Sequence, residues 1–172
     1  SAKSIFVDSI NPISFTVDST RDVSCNGAND GAIFVSVFGG VGNYSYNWSN
    51  GATTQNLNGL SGANYSLTVT DSNNCVLLSG PILINEPTVL VLTLDSLQSV
   101  DCNGNGNGAV FTTVSGGTTA YTYNWSNAAT TEDITGLNGG TFMLTVTDAN
   151  GCTDSIGPLV VNEPPPLLLL LD

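Results

Sequence analysis

The sequence predicts an all-β protein made of tandem immunoglobulin-like β-sandwich domains, with one disulfide per domain. Three observations lead there. The chain repeats itself at a period of 77 residues, its apolar residues alternate with polar ones over short runs, and Gly, Asn, Asp and Pro interrupt those runs every few positions. Six or seven short strands in a unit of this size, with turn signals between them, match a small sandwich. No stretch of useful length carries the 3.6-residue spacing of an amphipathic helix.

The repeat sets the domain plan. A shift of 77 places Cys25 on Cys102, Tyr44 on Tyr121, Trp48 on Trp125, Asp71 on Asp148, Cys75 on Cys152 and Glu86–Pro87 on Glu163–Pro164. Residues 11–87 and 88–164 align without a gap. Residues 1–10 read as the end of a preceding repeat, and residues 165–172 as the first strand of a following one. On that reading the sequence is a slice of a longer array.

In chain order, the first unit offers strands at 13–17, 31–38, 44–49, 53–58, 64–71 and 77–84. The second offers them at 90–94, 108–115, 121–126, 130–135, 141–148 and 154–161. The run Tyr65 to Asp71 shows why: Tyr65, Leu67 and Val69 face one way and Ser66, Thr68 and Thr70 the other, the two-residue period of a half-buried strand. Asn73–Asn74, matched by Asn150–Gly151, follows where a tight hairpin needs positive φ. The Pro-led joints at Glu86–Pro87 and Glu163–Pro164 cannot continue sheet pairing and set the angle between units.

Composition narrows the function. The 172 residues carry 14 acidic and two basic side chains and no His, a formal net charge of −12. Lys3 and Arg21 cannot neutralise a phosphate backbone, so nucleic acid is not a partner. General acid–base catalysis relies most often on His, and no nucleophile–base pair stands out; the chain reads as not an enzyme. The longest unbroken apolar run, Leu167 to Leu171, is far shorter than the roughly 20 residues that cross a bilayer, which argues against membrane insertion.

Four cysteines allow three pairings. Equal spacing makes Cys25–Cys75 and Cys102–Cys152 the economical choice, and four strand passes between the members of each pair would return the chain to the same end of a sandwich. Such bridges imply an oxidising, extracellular compartment. Trp48 and Trp125, in Tyr-x-Tyr-Asn-Trp-Ser, read as core residues on a central strand; the alternative is an aromatic platform for sugar rings. Asp71, Asn73, Asp148 and Asn150 carry hard oxygen donors beside a cysteine and form a candidate Ca²⁺ site, weighed against the ordinary turn preference of Asp and Asn. No other cofactor is indicated. Asn43, Asn47, Asn64 and Asn124 begin Asn-x-Ser sequons.

The twice-repeated string Cys-Asn-Gly, Tyr-x-Tyr-Asn-Trp-Ser-Asn, Gly-Leu-x-Gly, Leu-Thr-Val-Thr-Asp-x-Asn-x-Cys and Asn-Glu-Pro resembles the SprB repeat, found in tandem in very large surface proteins of Bacteroidota, including a gliding-motility adhesin. The match departs at Asn74, where Gly is usual, and at Ala128, which stands where the first unit has Gly51. The resemblance implies export, through type IX secretion, and a non-enzymatic structural role in a cell-surface adhesin or filament. The alternative function is a lectin-like module binding surface polysaccharide through aromatics or Ca²⁺. Proteins of this lineage carry O-glycans at Asp-Ser/Thr-aliphatic/Thr triplets, which points to Ser9, Ser19, Ser96 and Ser155. The apolar run Leu167, Leu168, Leu169, Leu170 and Leu171 would be a bare strand edge, so it is expected to pack on its own chain or on a neighbouring copy by strand exchange.

Overall fold

The computed structural model describes residues 11–168; the expected preceding-repeat tail at 1–10, with Ser9, and Leu169, Leu170 and Leu171 lie outside the described residues. The chain divides into two compact units, Ser1–Glu86 and Pro87–Asp172. Each is an immunoglobulin-like β-sandwich, and every strand pairing is antiparallel. No helix among the described residues is long and apolar enough to cross a membrane.

In the first unit, β1 (Ser14–Arg21), β2 (Gly31–Phe38) and β4 (Leu57–Leu60) form one sheet in the order β1-β2-β4. The other face consists of β3 (Ser45–Trp48), β6 (Leu67–Thr70) and β7 (Val76–Leu78), with β5 (Ala63–Tyr65) paired to β8 (Ile82–Ile84). In the second unit β12 (Ile134–Leu137), β10 (Gly108–Ser115) and β9 (Val91–Gln98) form one sheet, and β11 (Thr122–Trp125), β13 (Gly140–Thr147) and β14 (Thr153–Val161) the other. β13 and β14 run unbroken where the first unit splits its strands at Ser66 and at Ser79–Pro81. The same disturbance survives in the second unit as a register shift between Phe142 and Leu144.

The cores follow the two-residue period. Ile33 and Val35 from β2 face Leu67 and Val69 from β6, with Val23, Trp48, Tyr65 and Ile84 completing a cluster in which each residue is at most 7% exposed. Val110, Trp125, Leu144, Val146 and Val161 repeat the arrangement. Asn74 and Gly151 have φ of 61° and 85°, the left-handed values the hairpin reading requires.

β1 runs on to Arg21, four residues past the expected end, because its polar second half pairs with β2 through a bulge between Val17 and Ser19. The expected strand at 53–58 is displaced to Leu57–Leu60, and the difference matters. β3 runs down one sheet from Ser45, opposite Thr70, to Trp48, opposite Leu67. The chain then crosses to the other sheet, where β4 continues in the same direction alongside β2, ending with Leu60 opposite Gly31. The crossover is pinned by the Trp48 indole N–H donating to the Thr54 carbonyl at 2.8 Å, and by the Val35 N–H donating to Asn56 Oδ1 at 3.0 Å. β3 and β4 are thus one pass, not two.

Three passes, an odd number, therefore separate Cys25 from Cys75, and the two lie at opposite ends of the sandwich. Cys25 sits in the β1–β2 loop at what we call the lower end; Cys75 closes the β6–β7 turn at the upper end. The expected pairings Cys25–Cys75 and Cys102–Cys152 are accordingly not formed. Cys25 and Cys152 are disulfide-bonded, and Cys75 and Cys102 are exposed free thiols. The expected bridge inside each domain is therefore absent from both.

Two outcomes test this packing. Trp48→Ala should destabilise the first unit by about 3–5 kcal/mol in denaturant unfolding, the usual cost of deleting a buried indole. Ala128 has φ of 66°, in the turn where the first unit has Gly51 at 84°. Ala128→Gly should therefore raise stability by about 0.5–1 kcal/mol, the strain relieved exceeding the extra unfolded-state entropy of Gly.

Candidate functional site

The features that recur in both units cluster at the two ends of each sandwich, and a carboxylate organises each end. At the upper end of the first unit Asp71 is 5% exposed. Its Oδ1 accepts the N–H groups of Asn73 at 2.8 Å and Cys75 at 2.9 Å, and its Oδ2 accepts that of Val41 at 3.0 Å. Asp148, equally buried, accepts from Asn150, Cys152 and Thr118 at 2.9, 2.9 and 2.8 Å. One side chain thereby ties the β6–β7 turn to the β2–β3 loop.

At the lower end Glu86 Oε1 accepts from Gly27 at 2.7 Å and Oε2 from Gly62 at 3.0 Å. Glu163 does the same with Gly104 at 2.6 Å and Gly139 at 2.7 Å. A Cβ on Gly62 or Gly139 would lie 2.4 Å from the glutamate Cβ, so only Gly admits the side chain here. This clamp explains three recurring strings at once: the Gly of Cys-Asn-Gly, the last Gly of Gly-Leu-x-Gly, and the Glu of Asn-Glu-Pro. The sequence reading noticed Glu86 and Glu163 as unit ends but missed their glycine partners; the joint recurrence of the three strings was the available signal.

All four carboxyls are held below their ordinary range. For Asp71 the Cys75 N–H is the main cause, opposed by burial; Glu86 and Glu163 owe the shift first to Gly27 and Gly104. For Asp148 burial is the largest single influence and pushes upward, but the N–H donors, led by Thr118 and Cys152, prevail.

This geometry locates the expected site residues. Asp71 and Asp148 spend their oxygens on backbone donors, and Asn73 and Asn150 contribute their N–H groups to the same turns. Among the described residues no group of three or more His, Cys, Asp or Glu side chains could hold a metal. Trp48 and Trp125 are 2% exposed, so neither indole presents a stacking face, while the neighbouring tyrosines Tyr44, Tyr46, Tyr121 and Tyr123 pack partly buried against the cores. Ser19, Ser96 and Ser155 are exposed on strands. Leu167 and Leu168 are 93% and 83% exposed.

A cleft accompanies each free thiol. Cys75 shares one of about 350 Å³ with Pro12, Ile13, Gly40, Val76 and Leu77. Cys102 shares one of about 460 Å³ with Asp101, Asn103, Pro164, Pro165 and Leu167.

The SprB repeat family model matches residues 17–53 and 95–130, one match in each unit. The chain is similar to the three N-terminal domains of the highly immunogenic outer capsid protein (Hoc) of bacteriophage RB49, at 21% identity and a TM-score of 0.46, covering 83% of this chain and 58% of that one. It is also similar to the fibronectin(III)-like modules of Clostridium thermocellum CbhA, at 14% identity and a TM-score of 0.32, covering 83% of this chain and 91% of that one. No curated protein matches it.

The clamps predict acid lability with a definite sign. Their folded pKa values lie below the ordinary 3.8 of Asp and 4.5 of Glu. Their contribution is therefore complete above those ordinary values and is lost as pH falls through the lowered ones. The thermal midpoint should drop as the pH falls below the ordinary carboxyl range, and less steeply in an Asp71→Asn/Asp148→Asn variant. A midpoint that rises on acidification would contradict this assignment.

Proposed function

We propose that this tandem pair of SprB repeats is a non-enzymatic structural segment of a secreted, cell-surface adhesin or filament. The observation that carries the reading is the polarity of each unit. The chain enters each sandwich at its upper end, where Ser14 pairs with Phe38 and Val91 with Ser115. It leaves at the lower end, where Ile84 pairs with Ala63, Val161 pairs with Gly140, and the clamp glutamate follows. A unit whose termini lie at opposite ends can be strung in line indefinitely, each copy adding its own length, as repeat arrays require.

The oxidised state of Cys25 and Cys152 supports an extracellular setting, because disulfides persist in oxidising compartments. The acidic composition suits an exposed fibre as well: each repeat adds negative charge, and neighbouring fibres repel rather than coalesce. Burial of both tryptophans weighs against the aromatic-platform alternative, although Tyr44, Tyr46, Tyr121 and Tyr123 are only partly buried.

Antibodies raised against this chain should label intact, unpermeabilised cells of its source. In-frame deletion of the two repeats should leave the parent protein displayed. Labelling that appears only after permeabilisation would overturn the proposal.

A further inference from the structure

An asparagine followed by glycine is chemically labile, because glycine has no side chain to keep the asparagine amide away from its nitrogen. The chain holds eight such pairs. Reaction needs a glycine N–H that can give up its proton and an asparagine amide free to swing onto the nitrogen. The fold withholds one or the other at seven of the eight.

The glutamate clamps hold three pairs. Gly27, after Asn26, donates to Glu86 at 2.7 Å. Gly104, after Asn103, and Gly139, after Asn138, donate to Glu163 at 2.6 and 2.7 Å. A carboxylate bound in this way tightens the hold on the proton, and its charge opposes an amide anion beside it. Turn carbonyls hold two more: Gly51, after Asn50, donates to Trp48 at 2.8 Å, and Gly151, after Asn150, to Asp148 at 3.1 Å. Asn58–Gly59 lies within β4, paired with β2. Asp101 occupies both ends of the Asn107 amide, donating its N–H to Oδ1 at 3.1 Å and accepting from Nδ2 at 2.7 Å.

Asn105–Gly106 has none of these restraints. It lies outside the strands, Asn105 is exposed, and Gly106 has φ of 56°. Among the described residues, neither the Asn105 side-chain amide nor the Gly106 N–H makes a hydrogen bond. The first unit has Ala28–Asn29 at this place, so the exposed pair belongs to the second unit alone.

We propose that Asn105 is a self-modification site, converting to aspartate and isoaspartate with water as the co-reactant. Solvent removes the Gly106 N–H proton, and the nitrogen attacks Asn105 Cγ. The Cγ–Nδ2 bond breaks, and the amide nitrogen takes a proton from solvent and leaves as ammonia. The product is a five-membered succinimide, which water opens. Cleavage between the nitrogen and Cγ gives aspartate. Cleavage between the nitrogen and the Asn105 main-chain carbonyl carbon gives isoaspartate, with the backbone rerouted through Cβ. Nothing is oxidised or reduced: an amide and water become a carboxylate and ammonium. Each event adds one negative charge to the loop that carries Gly104 of the clamp.

The test ages the full chain in mildly alkaline buffer and maps its peptides. Conversion at Asn105, a gain of about 1 Da with isoaspartate among the products, should lead all eight pairs. It should outrun Asn26, Asn103 and Asn138 by about tenfold or more, the factor that a hydrogen bond to a charged group sets. In urea that lead should vanish. Glu163→Gln leaves one acceptor oxygen for two glycine donors, so conversion at Asn103 or Asn138 should rise several-fold. Asn26, held by Glu86, should not change. A native map in which another pair leads, a lead of Asn105 that persists in urea, or a folded Glu163→Gln with Asn103 and Asn138 unchanged would each overturn the proposal. Should the variant fall short of the wild-type thermal midpoint, the two wild-type maps decide.

Discussion

The tryptophan crossover is the constraint on which the rest of each unit depends. At Trp48 the chain changes sheets without changing direction, and the indole N–H holds the crossing segment to the Thr54 carbonyl. Trp125 repeats the bond to Thr131 at 2.9 Å. This single bond type decides that each sandwich has an odd number of passes between its cysteines. From that parity follow the opposite placement of the cysteines, the separation of the chain's entrance and exit, and the need for a clamp at both ends. The burial of Trp48 is therefore a topological requirement as well as a contribution to the core.

The acidity of the chain acquires a structural meaning. Of its 14 acidic residues, Asp8 and Asp172 lie outside the described residues, and each of the other 12 accepts a hydrogen bond from a backbone N–H, a hydroxyl or a side-chain amide. With only two basic residues in the chain, the described carboxylates satisfy loop and bulge donors. A carboxylate accepts several N–H groups at once and holds them more strongly than a neutral acceptor. Loops that carry few apolar side chains can be fixed in this way. The net charge of −12 is in part the result of using Asp and Glu as loop fasteners.

Much of this was legible in the sequence, and the exceptions have specific causes. The 77-residue period, the all-β class and the positive φ at Asn74 followed from repetition, alternation and turn chemistry. The core residues Leu67 and Val69 declared themselves by their two-residue spacing. Polar pairing concealed the second half of β1, since Asp18, Ser19 and Thr20 carry no apolar period. Thr54, Gln55 and Asn56 read as the start of a strand but form the crossover, because their side chains and carbonyls bond across to Val35 and Trp48. That local misreading had a long-range consequence: counting one extra pass inverted the parity and put both cysteines at the same end. The Asp71 and Asp148 turns, read as candidate cation sites, use the same oxygens to bind backbone donors, and residue type alone does not separate the two uses.

The parity also shifts where stability must come from. A bridge closing a 50-residue loop within one unit would contribute roughly 4 kcal/mol by restricting the unfolded chain. With its cysteines at opposite ends, a single unit has no access to that contribution. Each sandwich must then be held by its buried cluster around Trp48 or Trp125 and by its two carboxylate clamps. Cys75 donates its N–H to Asp71, and Cys102 lies two residues from Gly104, which donates to Glu163, so the clamps fix the loops on which these two cysteines sit. In this fold the clamp stabilises the unit and positions the thiol, and both tasks rest on the same hydrogen bonds.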